Sequence, residues 1–193
     1  LTIAAVRRRL DPRDVLVSKG NMPLAALPAG SRIGTSSPRR TAQVLALRPD
    51  IKMLPMRGNV GTRVEKARGE QYDGAILAAA GLIRLGMEAA ITEYLSPEVF
   101  TPEAGQGTLA LETRSEDTET RQLLVLADDA PSHVVFRSER AFLATFGSGC
   151  KVPVAAFATL AGDALTIDAM AAVPDGSRVF RASLLGDPKE PES

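Results

Sequence analysis

Apolar positions along this chain fall into short runs broken by Gly, Pro and charged turns, and the spacing inside each run predicts its element. Leu1 to Val6 and Val15 to Val17 read as strands. Ile33 ends a short strand after an Ala-Gly turn. Ser37 is then a good N-cap, and Pro38 suits the first helical position, where its missing N–H costs nothing. Ala42, Val44, Leu45 and Leu47 carry the helix on until Arg48-Pro49 stops it. Ile51 to Met56 repeats the plan with a strand, a glycine turn and Asn59 as cap. Tyr72 to Gly86 repeats it again, as a fully buried strand that runs into a helix stopped by Gly86. Strand-helix repeats of this length predict an α/β fold with a mostly parallel sheet, helices on its faces and ligands at the strand C-termini.

The second half reads differently. After a loop from Glu98 to Gln106, Thr108 to Thr113 is a strand, and Ser115 to Ala127 and Ser132 to Phe146 are helices. Val154 to Ala158, Leu165 to Ala172 and Arg178 to Leu185 are strands, with Pro174-Asp175-Gly176-Ser177 as a hairpin turn, so the chain ends in a small antiparallel unit.

Composition narrows the function classes. The 193 residues are 45% hydrophobic, enough for an ordinary globular core. No apolar run reaches the length of a membrane span. The chain is neutral, with 23 basic and 23 acidic residues, yet nine Lys or Arg face three acids between Arg32 and Glu70. A local excess in a balanced protein favours a focused site for an acidic small molecule over a polyanion surface. Aromatic residues, at 4%, are too few for a base-stacking platform. A single cysteine excludes an internal disulfide and fits a reducing compartment, and a single histidine excludes a His-based metal cluster. That residue, His133, lies beside no nucleophile-elbow pattern and reads, with Arg137, as a surface or capping group.

The candidate chemistry starts at Arg32-Ile33-Gly34-Thr35-Ser36-Ser37-Pro38-Arg39-Arg40. A helix N-terminus offers unpaired N–H groups and partial positive charge to a carboxylate or phosphate, and Arg39 and Arg40 add forked donors. Taken alone, the stretch reads more readily as a simple cap beside solvated arginines. Arg57-Gly58-Asn59-Val60-Gly61-Thr62-Arg63 repeats it and strengthens the anion reading. Gly105-Gln106-Gly107 either lets backbone and the Gln amide approach a ligand or forms a hinge. Cys150, on the Gly147 to Pro153 loop beside Lys151, is either a reachable thiol or a buried small hydrophobe.

Taken together these motifs resemble the porphobilinogen deaminases, also called hydroxymethylbilane synthases. The resemblance covers essentially the whole chain. It rests on Ile33-Gly34-Thr35-Ser36-Ser37 with Arg39-Arg40, Arg57-Gly58-Asn59-Val60 with Thr62-Arg63, Ile76-Leu77-Ala78 to Gly86, Gly105-Gln106-Gly107, Glu139-Arg140-Ala141-Phe142-Leu143, and Gly149-Cys150 with Val152-Pro153. It implies a transferase that joins four porphobilinogen units, with loss of ammonia at each step, into a linear tetrapyrrole of porphyrin and heme biosynthesis. A dipyrromethane cofactor would be held by a thioether to Cys150. Ser36, Ser37, Arg39, Arg40, Arg57, Arg63 and Arg84 would bind the acetate and propionate groups of cofactor and growing chain, and Gln106 would line the cleft.

The resemblance further implies a periplasmic-binding-protein-like lobe with a mostly parallel sheet, plus a small α+β C-terminal domain. Residues 1–12 and 106–129 would belong to a first, catalytic domain, 13–105 to a second that binds carboxylates, and 130–193 to a third that carries the cysteine. Departures matter too. The family's catalytic Asp matches a position upstream of residue 1, and Asp11 and Asp14 match a turn instead. The chain opens without Met in mid-strand and closes on a patternless tail, so further residues are expected at both ends, and an exposed sheet edge with poor stability is expected of the piece. A cytoplasmic monomer acting on porphobilinogen, without metal, nucleic acid or membrane, is expected. Two alternatives are a non-catalytic organic-acid-binding module and a nucleic-acid-binding domain.

Overall fold

The structure is a computed structural model that describes residues 1–146 and 152–192. The first strand, β1 (Thr2–Val6), pairs antiparallel with a strand more than a hundred residues later, β7 (Ala110–Thr113), to form a two-stranded sheet. Between them lies a five-stranded sheet built from β2 (Asp14–Ser18), β3 (Arg32–Gly34), β4 (Lys52–Leu54), β5 (Gly74–Ala78) and β6 (Glu93–Tyr94), in the order β4-β3-β5-β2-β6. Three helices connect the parallel part: α1 (Pro38–Leu47), α2 (Val60–Arg68) and α3 (Ala79–Arg84).

The alternation of strand side chains explains why these strands are apolar throughout. Val15, Val17, Ala75 and Leu77 pack on one side with Val64, Ala67 and Leu82 from α2 and α3. Leu16, Ile33 and Ile76 pack on the other with Val44 of α1, Ile51 and Phe100. Successive residues point to opposite faces, so a sheet covered on both sides buries every position. Burial of such side chains is worth roughly 1.5–3 kcal/mol each.

Parallel pairing holds for β3 with β4 and β3 with β5, whereas β2 runs antiparallel to both β5 and β6. Four of the five strands therefore point one way and β2 opposes them. The consequence is local: Asp14, the first residue of β2, lies opposite Ala78, the last residue of β5. An antiparallel insertion delivers its N-terminal residue to the edge where its neighbours end.

The remaining elements are α4 (Thr118–Leu124), a 3₁₀ turn at Val125–Ala127, α5 (Ala130–Thr145), β8 (Val154–Ala161), β9 (Ala164–Ala172) and β10 (Val179–Gly186). The last three make an antiparallel meander in the order β10-β9-β8, and α5 packs on it through Val135, Ala158 and Leu165. Gly176 turns the β9–β10 hairpin at φ +73°, and a Cβ there would fall 2.6 Å from the Ala42 carbonyl oxygen of α1. The hairpin tip thus rests against helix backbone where only glycine fits. Leu1, Leu123, Val125 and Leu126 are exposed beside the two-stranded sheet, as are Phe180, Leu184 and Leu185 on β10.

Candidate carboxylate-binding cleft

Two loop-helix junctions and one strap meet at the carboxyl ends of β3, β4 and β5. At the first junction Ser37 caps α1 by accepting from the Arg40 N–H at 3.4 Å, and Pro38 takes the first turn. Ser36 turns the other way: its hydroxyl donates to the Met56 carbonyl at 2.9 Å and accepts from the Met56 N–H at 3.1 Å, tying the β3–α1 loop to the β4–α2 loop. At the second junction Asn59 accepts from the Thr62 N–H at 2.9 Å, and Arg63 donates through Nε to the Gly58 carbonyl at 2.8 Å.

The strap is Gly105-Gln106-Gly107. Gly107 sits at φ +85°, where a Cβ would come within 2.6 Å of the Leu10 carbonyl oxygen, so this position requires glycine. Its carbonyl accepts from Leu10 N–H at 3.1 Å and from Arg84 Nη2 at 2.9 Å. The Gln106 amide donates to the Pro12 carbonyl at 2.6 Å and to Asp14 Oδ1 at 3.2 Å, while its oxygen accepts from Arg39 and Arg40 at 3.4 and 3.3 Å.

Asp14 organises this centre. Its side chain is fully buried and receives Arg39 through Nη1 at 2.6 Å and Nη2 at 3.3 Å, and Arg40 through Nε at 2.9 Å. Burial alone would push its carboxyl up, but the Arg40 and Arg39 charges outweigh that and hold it below the usual aspartate range. Arg39 is itself 2% exposed; besides Asp14 it donates to the Thr101 carbonyl at 2.7 Å and, through Nε, to Glu103 at 3.1 Å. A second buried carboxylate, Glu139 of α5, anchors the other side. It accepts from Arg9 at 2.7 and 3.3 Å, from the Gly105 N–H at 2.5 Å and from the Ala158 N–H at 2.7 Å. Burial raises its pKa against the pull of Arg9 and those N–H groups. One carboxylate thereby joins the connector before β2, the strap, α5 and β8.

These groups enclose a cleft of about 460 Å³ lined by Ser36, Ser37, Arg39, Arg40, Arg63, Glu103, Gln106, Arg140, Leu143 and Val152. Six of the sequence-predicted residues are therefore together. Arg57 and Arg84 are exposed and outside the lining, and Arg84 donates one Nη to the strap carbonyl. Cys150 lies outside the described residues; Val152, two positions on, lines the cleft. His133 pairs with Asp128 at 2.9 Å, in keeping with a surface or capping role. Sequence reasoning missed Asp14, Glu103 and Arg140. A signal existed for the last, because Arg140 and Leu143 are three apart on α5 and share a face. For Asp14 the only signal was its place at the start of a buried strand.

A larger hollow of about 960 Å³ between β1 and α5 is less suited to an acid: Arg137 there is paired with Glu192 at 2.9 Å, and His133 with Asp128. In the cleft, by contrast, the Arg63 fork has only its Nε engaged among the described residues, while Arg140 is exposed and lines both hollows. Among the described residues no cluster of His, Cys, Asp or Glu could hold a metal ion, and no helix is long and apolar enough to cross a membrane. The arrangement is a donor-rich open cleft matched to carboxylates.

Comparison with known proteins agrees with that chemistry. Residues 1–122 match the family model described as porphobilinogen deaminase, dipyrromethane cofactor binding domain, and residues 134–193 match the porphobilinogen deaminase C-terminal domain. The porphobilinogen deaminase of Roseiflexus sp. strain RS-1 is 49% identical over 191 residues, covering 99% of this chain and 63% of that protein. Those of Alkaliphilus metalliredigens and Deinococcus deserti are 46% and 45% identical, covering 97% and 98% of this chain and 59% and 62% of those proteins. The chain thus spans less than two thirds of the length of these relatives. With both family models matched in order, and near half identity sustained over almost every residue, it belongs to the porphobilinogen deaminase family.

Proposed function

We propose that this chain supplies the carboxylate-binding cleft and the attachment cysteine of a hydroxymethylbilane synthase, which condenses four porphobilinogen units into a linear tetrapyrrole. The observation that carries this reading is the convergence of Ser37, Arg63, Gln106 and Arg140 on a cleft that Val152, two residues after Cys150 in the sequence, also lines. Each pyrrole unit bears an acetate and a propionate, so a chain held through repeated elongation needs several cationic donors around one cavity.

The residues present fit a dipyrromethane: donors for its carboxylates line the cleft, and Cys150 would hold it covalently. Bound there, that group would supply the tethered pyrrole end on which the product grows. Arg63 and Arg140 would neutralise incoming carboxylates, and Arg57 and Arg84, exposed outside the lining, would reach a ligand only if it extends beyond the cleft. Arg39 and Arg40, fixed by Asp14, would set the positive floor. Asp14 itself, held ionised by two guanidinium groups, is not arranged to release a proton. The mostly codirectional sheet, with helices on both faces and its ligand edge at the strand C-termini, supports reading residues 13–105 as a periplasmic-binding-protein-like lobe, flanked by 1–12 with 106–129 and by 130–193 as separate units.

The test is a calorimetric titration of porphobilinogen into the chain and into an Arg63→Ala/Arg140→Ala variant. Loss of two charge-assisted contacts should weaken binding by about tenfold or more. Equal affinity in the two proteins would remove the cleft from the function.

A further inference from the structure

The centre of the cleft holds more cationic charge than its buried carboxylate can balance. Arg39 and Arg40 bring two positive charges to the single negative charge of Asp14. The fourth member is Glu103, whose Oε2 sits 3.1 Å from Arg39 Nε and brings the group to neutrality. The two carboxylates are not equivalent. Asp14 is fully buried, takes both guanidinium groups and is also bonded by Gln106. Among the described residues the Glu103 side chain hydrogen-bonds Arg39 alone; it lines the cleft and leaves 38% of its side chain in solvent.

Arg39 has its Nη1 and Nη2 committed to Asp14, the Thr101 carbonyl and Gln106, so Nε is the donor it turns towards the acidic side chain of the cleft lining, Glu103. We propose that Glu103 is an internal placeholder, occupying the position at Arg39 that a ligand carboxylate takes on binding. This rests on the carboxylate-cleft reading above and adds to it a competitor built into the site. Replacing one carboxylate by another keeps the group neutral, so the exchange avoids leaving the buried Arg39 guanidinium unbalanced. Glu103 can swing into water at little cost because it is already part-solvated. Until it does, the site is closed to acids at this point, and apparent affinity falls by the fraction of molecules in which Glu103 has left. The device favours ligands with enough carboxylates to displace it while others stay bound to Arg63 and Arg140, and it disfavours simple monoacids.

The experiment is an NMR titration of the chain with glutarate, a dicarboxylate with no amine or pyrrole, beside Glu103→Gln and a control, Glu65→Gln, whose carboxylate is exposed on α2. Glu103→Gln removes the competing charge and should bind glutarate about three- to tenfold more tightly. Glu65→Gln should stay within about twofold of the unaltered chain, because a solvated distant charge is screened. Binding by the unaltered chain that is unchanged or weaker in Glu103→Gln overturns the placeholder and leaves the cleft reading intact. An equal gain in Glu65→Gln also overturns it, by showing a general charge effect. No binding of glutarate by any of the three overturns both.

Discussion

The α1 and α2 junctions look alike in sequence and differ in the folded chain. Each has a short parallel strand, a polar cap and a pair of arginines. At α2 the guanidinium groups stay near the surface: Arg57 is exposed, and Arg63 is half-buried at the cleft wall. At α1 both turn inward, to 2% and 9% exposure, and grip Asp14. The strand-helix units themselves do not cause the difference. It comes from β2, which enters the sheet against the direction of its neighbours and brings a carboxylate to the end of β5, where Arg39 and Arg40 of α1 reach it. A shared motif thus becomes a fixed charged floor in one case and a set of adjustable donors in the other.

Removing the carboxylate should break the comparison most severely. Asp14→Asn leaves two buried guanidinium groups facing a neutral amide, and an uncompensated buried charge costs about 3–5 kcal/mol. Denaturant unfolding of this variant should show that loss, while the same measurement on Arg63→Ala should stay within about 0.5 kcal/mol of the unaltered chain. A similar drop for both would mean the two junctions are energetically alike.

Acid should act in the same direction, more gradually. Arg32 hydrogen bonds hold Asp73 down to about 2 from an ordinary 3.8, and Asp14 is lowered as well. A carboxylate with a depressed folded pKa stabilises the fold above its unfolded value, and that stability is lost as pH falls through the folded one. Thermal unfolding should therefore be insensitive to these two groups near neutrality and should decline from about pH 4 towards 2. Asp73→Asn should flatten part of the decline, and a profile identical to that of the unaltered chain would contradict the assignment.

The caps should differ least. Asn59 accepts at 2.9 Å, whereas the Ser37 bond is 3.4 Å, near the weak limit. Asn59→Ala should cost about 1 kcal/mol and Ser37→Ala less, both by denaturant unfolding. The reverse order would show that Ser37 contributes through the cleft and not as a cap.

Much of this was legible because it is local. Pro38, Ser37 and Asn59 announce their helix starts, and Pro174 to Ser177 announces its hairpin, since cap and turn chemistry depends on neighbours in sequence. The inward turn of Arg39 was not, because its partner lies 25 residues away and reaches it only through the direction of β2, which a run such as Val15-Leu16-Val17 does not encode. Arg84 shows the same limit: its hydrogen bond to the Gly107 carbonyl, 23 residues on, depends on a strap that the sequence around a helix end does not announce. Arg140 needed the rotation of α5 about its axis, which the packing of Val135 against β8 and β9 residues sets.

The most direct measurement is the intact mass of the chain purified from cells that make porphobilinogen, beside Cys150→Ala. A mass gain equal to one dipyrromethane on the unaltered chain, absent from Cys150→Ala, is the predicted result. A folded chain with no added mass, or a gain that survives Cys150→Ala, would contradict the assignment of cleft and cysteine to one cofactor site.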